Sequence, residues 1–187
     1  MIRLETQHLI LRAMRADHLA ELHALHNDPL VQASIYGNRP QSHADVQAQL
    51  ALFLAQWRQN GFGFWMVYEK ASPSWCIGRA GLRNDRDSND LEFGYVFSSR
   101  GAGRGLGLEA ARATIRHALR VSTKEKVVGR IAPENDRALR AAAKLGFHYL
   151  EDRWQDGRLW RCFVLTRDDV FRPQPGPSAP RPGPGHR

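Results

Sequence analysis

A glycine-rich segment is the part of this chain best suited to bind a small anion. Residues 100–107 read RGAGRGLG, and they follow a β-rich run and precede a helical pattern. Free amides at a helix N-terminus favour an anion, and glycines let a phosphate approach the backbone because they carry no side chain. Arg100 and Arg104 add positive charge. The segment predicts a phosphate-binding loop.

Two common nucleotide-binding motifs do not describe this loop. A P-loop needs a lysine and a serine or threonine after its second glycine, and no lysine follows here. The dinucleotide fingerprint needs a third glycine where this chain has Leu108. A flexible glycine-rich turn without a ligand is the alternative. The elements around the loop must distinguish such a turn from a phosphate-binding loop.

The elements around the loop follow an α/β pattern. β-rich runs are predicted at 9–14, 62–68, 76–82, 91–97, 126–131, 147–150 and 159–165. Apolar residues at helical spacing predict helices after Asp17 and Ser42, from Leu108 to Leu119, and from Asn135 to a stop at Gly146. The predicted order is βααβββαβαββ, with the three consecutive strands as an antiparallel meander and the last two as a hairpin.

The composition predicts one soluble domain. The chain has 187 residues, 42% hydrophobic and 25% charged, which is typical of a globular protein. Its two cysteines cannot form a disulfide framework, and residues 1–12 lack the apolar stretch of a signal peptide. No apolar run is long enough to span a bilayer. We therefore expect a cytoplasmic protein that makes no use of a membrane.

The C-terminal segment differs from the rest. Residues 172–187 hold six of the ten prolines and three arginines of a chain with net charge +8, so the remainder carries 8 − 3 = +5. The sequence predicts a domain at 1–171 and a disordered Pro/Gly/Arg-rich tail at 172–187. A nucleic-acid-binding protein is a weak alternative, because much of the charge lies in the tail and no binding motif accompanies it. His18, His23 and His26 lack the further ligands of a metal site, so no metal is predicted.

Several segments together resemble the GNAT superfamily of N-acetyltransferases, in the branch that includes the bacterial ribosomal-protein N-terminal acetyltransferases. The strongest match is Arg100-x-x-Gly103-x-Gly105, which resembles the superfamily's pyrophosphate loop. Other matches in chain order are Thr6 to Arg12, Ile77 to Leu82, Glu92-Phe-Gly94-Tyr95, Asn135, and Leu145-Gly146-Phe147. The resemblance covers about residues 1–166, and it implies a mixed, mainly antiparallel sheet flanked by helices.

The resemblance implies acetyl-coenzyme A as the cosubstrate. The loop residues Arg100, Gly101, Gly103, Arg104 and Gly105 would hold the pyrophosphate. The pantetheine arm would pair like an extra strand with backbone near Val96 and Phe97. Asn135 would touch the arm, although its residue type equally predicts a helix N-cap.

The resemblance also implies a reaction by direct transfer in a ternary complex. Glu92 would be the general base, acting through water; an exposed strand charge is the alternative. Backbone amides near Val96 would stabilise the oxyanion.

One feature departs from the family pattern. Residues that can protonate the leaving thiolate are replaced by Ala138 and Ala142. A non-catalytic acyl-CoA-binding module is therefore an alternative to an enzyme. The acceptor, a protein N-terminus or a small-molecule amine, is left open, as is a homodimer.

Overall fold

The computed structural model describes residues 2–172, so the predicted tail lies outside the described residues from position 173 onward. The strands are β1 (Arg3–Glu5), β2 (Leu9–Ala13), β3 (Phe64–Glu69), β4 (Ser72–Asn84), β5 (Leu91–Phe97), β6 (Lys126–Ile131), β7 (His148–Gln155) and β8 (Arg158–Thr166). The helices are α1 (Leu19–His26), α2 (Pro29–Val31), α3 (His43–Asn60), α4 (Leu106–Val121), α5 (Asp136–Leu145) and α6 (Arg167–Phe171).

All eight strands form one sheet in the order β1-β2-β3-β4-β5-β6-β8-β7. Every neighbouring pair is antiparallel except β5 and β6, which are parallel. This confirms the predicted mixed, mainly antiparallel sheet, the meander and the final hairpin. The predicted order lacked β1, α2 and α6, each of which has five residues or fewer. Elements this short contain too little of a repeat to give a pattern.

Helices cover both faces of the sheet. On one face, α1 and α3 contribute Leu22, Leu50 and Phe53 to a core shared with β3 and β5. On the other face, the apolar stripe of α4 packs with α5 against β4, β5, β6 and β8. The Ser42 hydroxyl accepts a hydrogen bond from the Asp45 amide at 3.1 Å, and this cap fixes the start of α3. No helix among residues 2–172 is long and apolar enough to cross a membrane.

The sheet opens at its centre. The parallel strands β5 and β6 pair only through Leu91 with Val127 and Glu92 with Val128. Both strands continue beyond these pairs, to Phe97 and Ile131, without pairing with each other. The strands therefore diverge and leave two unpaired strand edges facing each other across a gap.

Candidate active site

A cleft of about 310 Å³ lies where β5 and β6 diverge. Its walls include the following residues: Arg79 and Arg83 of β4, residues 92–96 of β5, Gly129 to Ile131 of β6, Arg158 and Trp160 of β8, Gln49 and Phe53 of α3, and Ala138 and Ala142 of α5. The cleft is thus bordered by the unpaired edge of β5 and passes between the two helical layers.

The hydrogen-bond phase of β5 decides which backbone groups face the cleft. The Ser98 amide donates to the Ile77 carbonyl and the Asp85 amide to the Asp90 carbonyl, and the register between these two bonds contains no bulge. Because antiparallel pairs alternate, the backbone groups of Val96 bond to β4. Those of Tyr95 and Phe97 point toward the open edge. An arm that pairs near Val96 and Phe97 would therefore bond to Tyr95 and Phe97.

The glycine loop ends at the N-terminus of α4. Gly103 and Gly105 have φ angles of +82° and +78°, and a Cβ added to either would meet no atom within 4 Å. Gly105 is the N-cap and no side chain caps α4, so its first amides stay available. Gly101 differs, because its Cβ would lie 2.8 Å from the Ile77 carbonyl oxygen. Gly101 thus permits close packing, whereas the other two open space for an anion.

The two arginines of the loop have different surroundings. Arg104 forms a bidentate ion pair with Glu69 of β3, with N···O distances of 2.9 and 2.6 Å. Its hydrogen bonds lower the pKa of the Glu69 carboxyl from its ordinary value. Arg104 therefore anchors the loop, and its charge is already neutralised. Arg100 is exposed, lies over the Trp75 ring at 5.2 Å, and forms no ion pair with any residue between 2 and 172.

Glu92 lines the cleft, and both of its carboxylate oxygens contact arginines. Oε2 accepts a hydrogen bond from Arg83 Nε at 2.6 Å, and Oε1 lies 3.3 Å from Arg130 Nη1. Its side chain is 15% exposed. Arg130 also binds Asp85 at 2.6 Å and Asp87 at 2.9 Å. Burial opposes the ionisation of Asp85, but hydrogen bonds from Arg130 and Ser88 outweigh it, so the pKa of Asp85 is lowered.

The start of α5 forms another wall. The Asn135 side-chain oxygen accepts a hydrogen bond from the Ala138 amide at 3.0 Å, which confirms the predicted N-cap. Asn135 also lines the cleft, together with Ala138 and Ala142. His148 and Tyr149, which follow in sequence, are exposed and lie outside the cleft lining. Neither side chain can therefore take the place of the proton donor that is missing at Ala138 and Ala142.

A buried polar network, which was not predicted from the sequence, lies on the α1 and α3 side of the cleft. Arg79 Nε donates to His26 Nε2 at 2.9 Å, and Tyr36 lies 3.0 Å from both His26 Nδ1 and Gln49 Oε1. An arginine within the otherwise uncharged strand segment 76–82 was the available signal. This arginine alone did not indicate which residues it contacts, because its partners lie up to 53 residues away in the chain.

Solved acetyltransferases share this fold. A GnaT-family acetyltransferase from Bordetella pertussis superposes with a TM-score of 0.76 at 26% identity, over 88% of this chain and 99% of that one. The ribosomal-protein-S5-alanine acetyltransferase of Vibrio fischeri gives a TM-score of 0.71 at 15% identity, over 91% and 99%. The aminoglycoside acetyltransferase AAC(6')-Ib, in complex with ribostamycin and coenzyme A, gives 0.75 at 21%, over 90% and 99%. The fold is therefore that of an α/β acetyltransferase.

Sequence similarity identifies the family. The profile described as an acetyltransferase (GNAT) domain matches residues 8–148. YkkB of Bacillus subtilis (strain 168), itself named as uncharacterized, is 29% identical over 152 residues, which are 79% of this chain and 86% of YkkB. The chain belongs to the GNAT acetyltransferase family, as its motifs predicted.

Proposed function

We propose that this protein is an N-acetyltransferase that moves an acetyl group from acetyl-CoA directly to an amine. The observation that carries this proposal is the open edge of β5, which continues into a glycine loop at an uncapped helix N-terminus. This arrangement offers backbone partners for an amide-containing arm and, at its end, amides for a pyrophosphate.

The coenzyme would lie along β5. The pyrophosphate would bind the amides of residues 103–105, since those of Gly101 and Ala102 already donate to the Ser98 carbonyl. Arg100 would add charge, and Arg104 would hold the loop in place through Glu69. The pantetheine arm would bond to the backbone of Tyr95 and Phe97 beside Val96. The Nδ2 group of Asn135 would contact the arm while Oδ1 caps α5.

The acceptor amine would attack the thioester carbonyl, so it must be neutral. A protein α-amine has an ordinary pKa of about 7.7–8.0 and a lysine amine about 10.4. Four arginines and one glutamate line the cleft among the residues that the structure describes. Three of these arginines pair with carboxylates, so they add little net positive charge beside a bound ammonium. Glu92 would accept the remaining proton through a water molecule, since its own oxygens contact Arg83 and Arg130.

Attack forms the C–N bond and places negative charge on the carbonyl oxygen. An amide of Tyr95 or Phe97 at the open edge would stabilise this charge. Collapse of the intermediate then breaks the C–S bond and releases the coenzyme A thiolate. A thiol has an ordinary pKa of about 8.5, so the thiolate can leave near neutral pH without a positioned acid.

A second function is favoured by one observation. Ala138 and Ala142 both line the cleft, and neither can donate a proton. A protein of this kind could bind acyl-CoA without turning it over.

Initial rates with acetyl-CoA and a panel of peptides, amino acids and polyamines distinguish the two functions. Thiol release and the mass of the acetylated product are the measurements. Intersecting double-reciprocal lines support direct transfer in a ternary complex. Tight acetyl-CoA binding with no product from any amine supports the binding module and contradicts the enzyme.

A further inference from the structure

Arg79 places a buried positive charge at the wall of the cleft. The residue is 7% exposed and lines the cleft from β4. It pairs across strands with Val96, so its side chain lies on the face of the sheet covered by α1 and α3. Its guanidinium carbon lies 5.2 Å from the Phe53 ring centre and 5.0 Å from that of Phe64. The two rings hold the guanidinium in a fixed position.

The hydrogen bonds behind Arg79 fix its orientation. Arg79 Nε donates to His26 Nε2, which must therefore be unprotonated. Burial, followed by the charge of Arg79, lowers the pKa of His26 to about 3, so the ring is neutral near pH 7. The proton of the neutral ring then lies on Nδ1 and is donated to the Tyr36 oxygen, and Tyr36 donates to Gln49. The Nε group is thus fully used by His26. The guanidinium also hydrogen-bonds to Tyr36, and its other terminal N–H groups remain for the cleft that Arg79 lines.

Arg79 differs from the other arginines of the cleft in having no carboxylate partner. Within residues 2–172, Arg83 pairs with Glu92, Arg130 with Asp85, and Arg158 with Glu134. Burial lowers the pKa of Arg79, the neighbouring Tyr36 opposes this shift, and the charge of Arg83 adds to it. A buried charge with no opposite charge beside it is unfavourable. A ligand carboxylate would remove this penalty, because a guanidinium binds a carboxylate through two parallel hydrogen bonds.

We infer that Arg79 binds a carboxylate of the acceptor, and that the acceptor is a small amine carrying a carboxylate a few bonds away, as an amino acid does. The inference rests on the proposed function. Arg79 lies beside Val96, next to the backbone where the acetyl group would react, so one small molecule can reach both. A polycationic acceptor fits poorly, because it would bring further positive charge to a buried guanidinium.

Matched acceptors test this inference on the unaltered protein. We expect KM values at least tenfold lower for L-amino acids than for the corresponding carboxamides, which keep the amine and the shape but lose the charge. The carboxamides have the more acidic ammonium groups and so are the easier nucleophiles at neutral pH. A preference for the acids therefore cannot come from amine reactivity. Equal KM values, or lower ones for carboxamides or polyamines, would overturn the inference.

Two variants locate the effect. Arg79→Met keeps most of the side-chain volume and should raise KM for the carboxylate acceptors at least tenfold, with KM for carboxamides and the Kd of acetyl-CoA unchanged. The KM of Arg79→Lys for the carboxylate acceptors should lie between the values of the unaltered protein and of Arg79→Met. Arg15→Gln is the charge-matched control, because Arg15 pairs with Asp17 on the surface away from the cleft. Equal KM changes for acids and carboxamides in Arg79→Met would contradict a carboxylate contact.

A binding measurement separates this inference from the proposed function. The Kd of an N-acetyl amino acid and of its carboxamide can be measured by calorimetry with coenzyme A present. We expect the acid to bind at least tenfold more tightly to the unaltered protein. Equal binding of the two compounds would refute the role of Arg79 even in a competent enzyme. Tighter acid binding without any turnover would refute only the proposed function. If Arg79→Met does not fold, the comparison of acid with carboxamide on the unaltered protein still tests the inference.

Discussion

Acidification should destabilise the protein through His26, the residue that holds Arg79. His26 is fully buried, and its pKa is lowered to about 3 by burial, the charge of Arg79 and that of His23. In the unfolded chain a histidine has a pKa of about 6.5. Below pH 6.5 the His26 ring of the unfolded state therefore binds a proton, whereas the ring of the folded state stays neutral down to about pH 3. The contribution to stability is present above pH 6.5 and is lost progressively below it.

The magnitude follows from the difference between the two pKa values. Each pH unit in this window costs about 1.4 kcal/mol, and pH 4.5 lies about two units below the unfolded pKa. The His26 contribution should thus fall by about 2.5 kcal/mol between pH 7.5 and 4.5. Carboxylates such as Asp85, whose pKa is lowered in the folded state, add an acid-dependent loss of their own at lower pH. A variant comparison is needed to isolate the histidine.

Urea denaturation at several pH values makes that comparison. The free energy of unfolding of His26→Gln should fall by about 2.5 kcal/mol less than that of the unaltered protein between pH 7.5 and 4.5. His148→Gln, at an exposed histidine that lies 3.7 Å from Asp169, should change the pH dependence by less than about 1 kcal/mol, as is usual for an exposed ion pair. Identical pH profiles for His26→Gln and the unaltered protein would refute both the neutral His26 ring and the orientation inferred for Arg79.

Further substitutions test the loop, the chemistry and the packing. Gly103→Glu should abolish acetyl-CoA binding in calorimetry because it adds negative charge at the pyrophosphate site, whereas Gly157→Glu, at a hairpin glycine with a similar φ of +75°, should bind normally. Glu92→Gln should lower turnover about ten- to a hundredfold while Ala138→Ser changes it less than about tenfold; the reverse pattern in steady-state assays at several pH values would show that thiolate departure limits the rate. Gly81→Ala should destabilise the fold by about 1–3 kcal/mol or more in urea, because its Cβ would lie 2.3 Å from a backbone oxygen before β3; unchanged stability would contradict the close approach of β3 and β4.

Local patterns predicted most of the fold. The bounds of β5 and β6 agree with the predicted runs, and the caps at Ser42 and Gly146 lie where the sequence placed them. β7 was predicted to end at residue 150 but continues to Gln155. This edge strand is mostly exposed, so charged residues replace the alternation that would have revealed it.

The site was less predictable because its charges pair over long sequence distances. Arg104 is predicted to serve the phosphate, and its ion pair with Glu69, 35 residues away, could not be foreseen from the sequence. Glu92 could be named from its motif, whereas its contact with Arg130 depends on the pairing of β5 with β6. The spacing of residues along the chain predicts helices and strands. These ion pairs form only when the helices and strands pack together, so the spacing does not predict them.

The most direct test of the central claim is the transfer of isotopic label from the acetyl group of acetyl-CoA to an acceptor amine. Labelled N-acetyl product should form in proportion to the amount of unaltered protein. Gly157→Glu should form it too, whereas Gly103→Glu should form none. Labelled product from Gly103→Glu at the normal rate, or no labelled product from the unaltered protein although it binds acetyl-CoA, would contradict an acetyltransferase that works from the glycine loop and the open edge of β5.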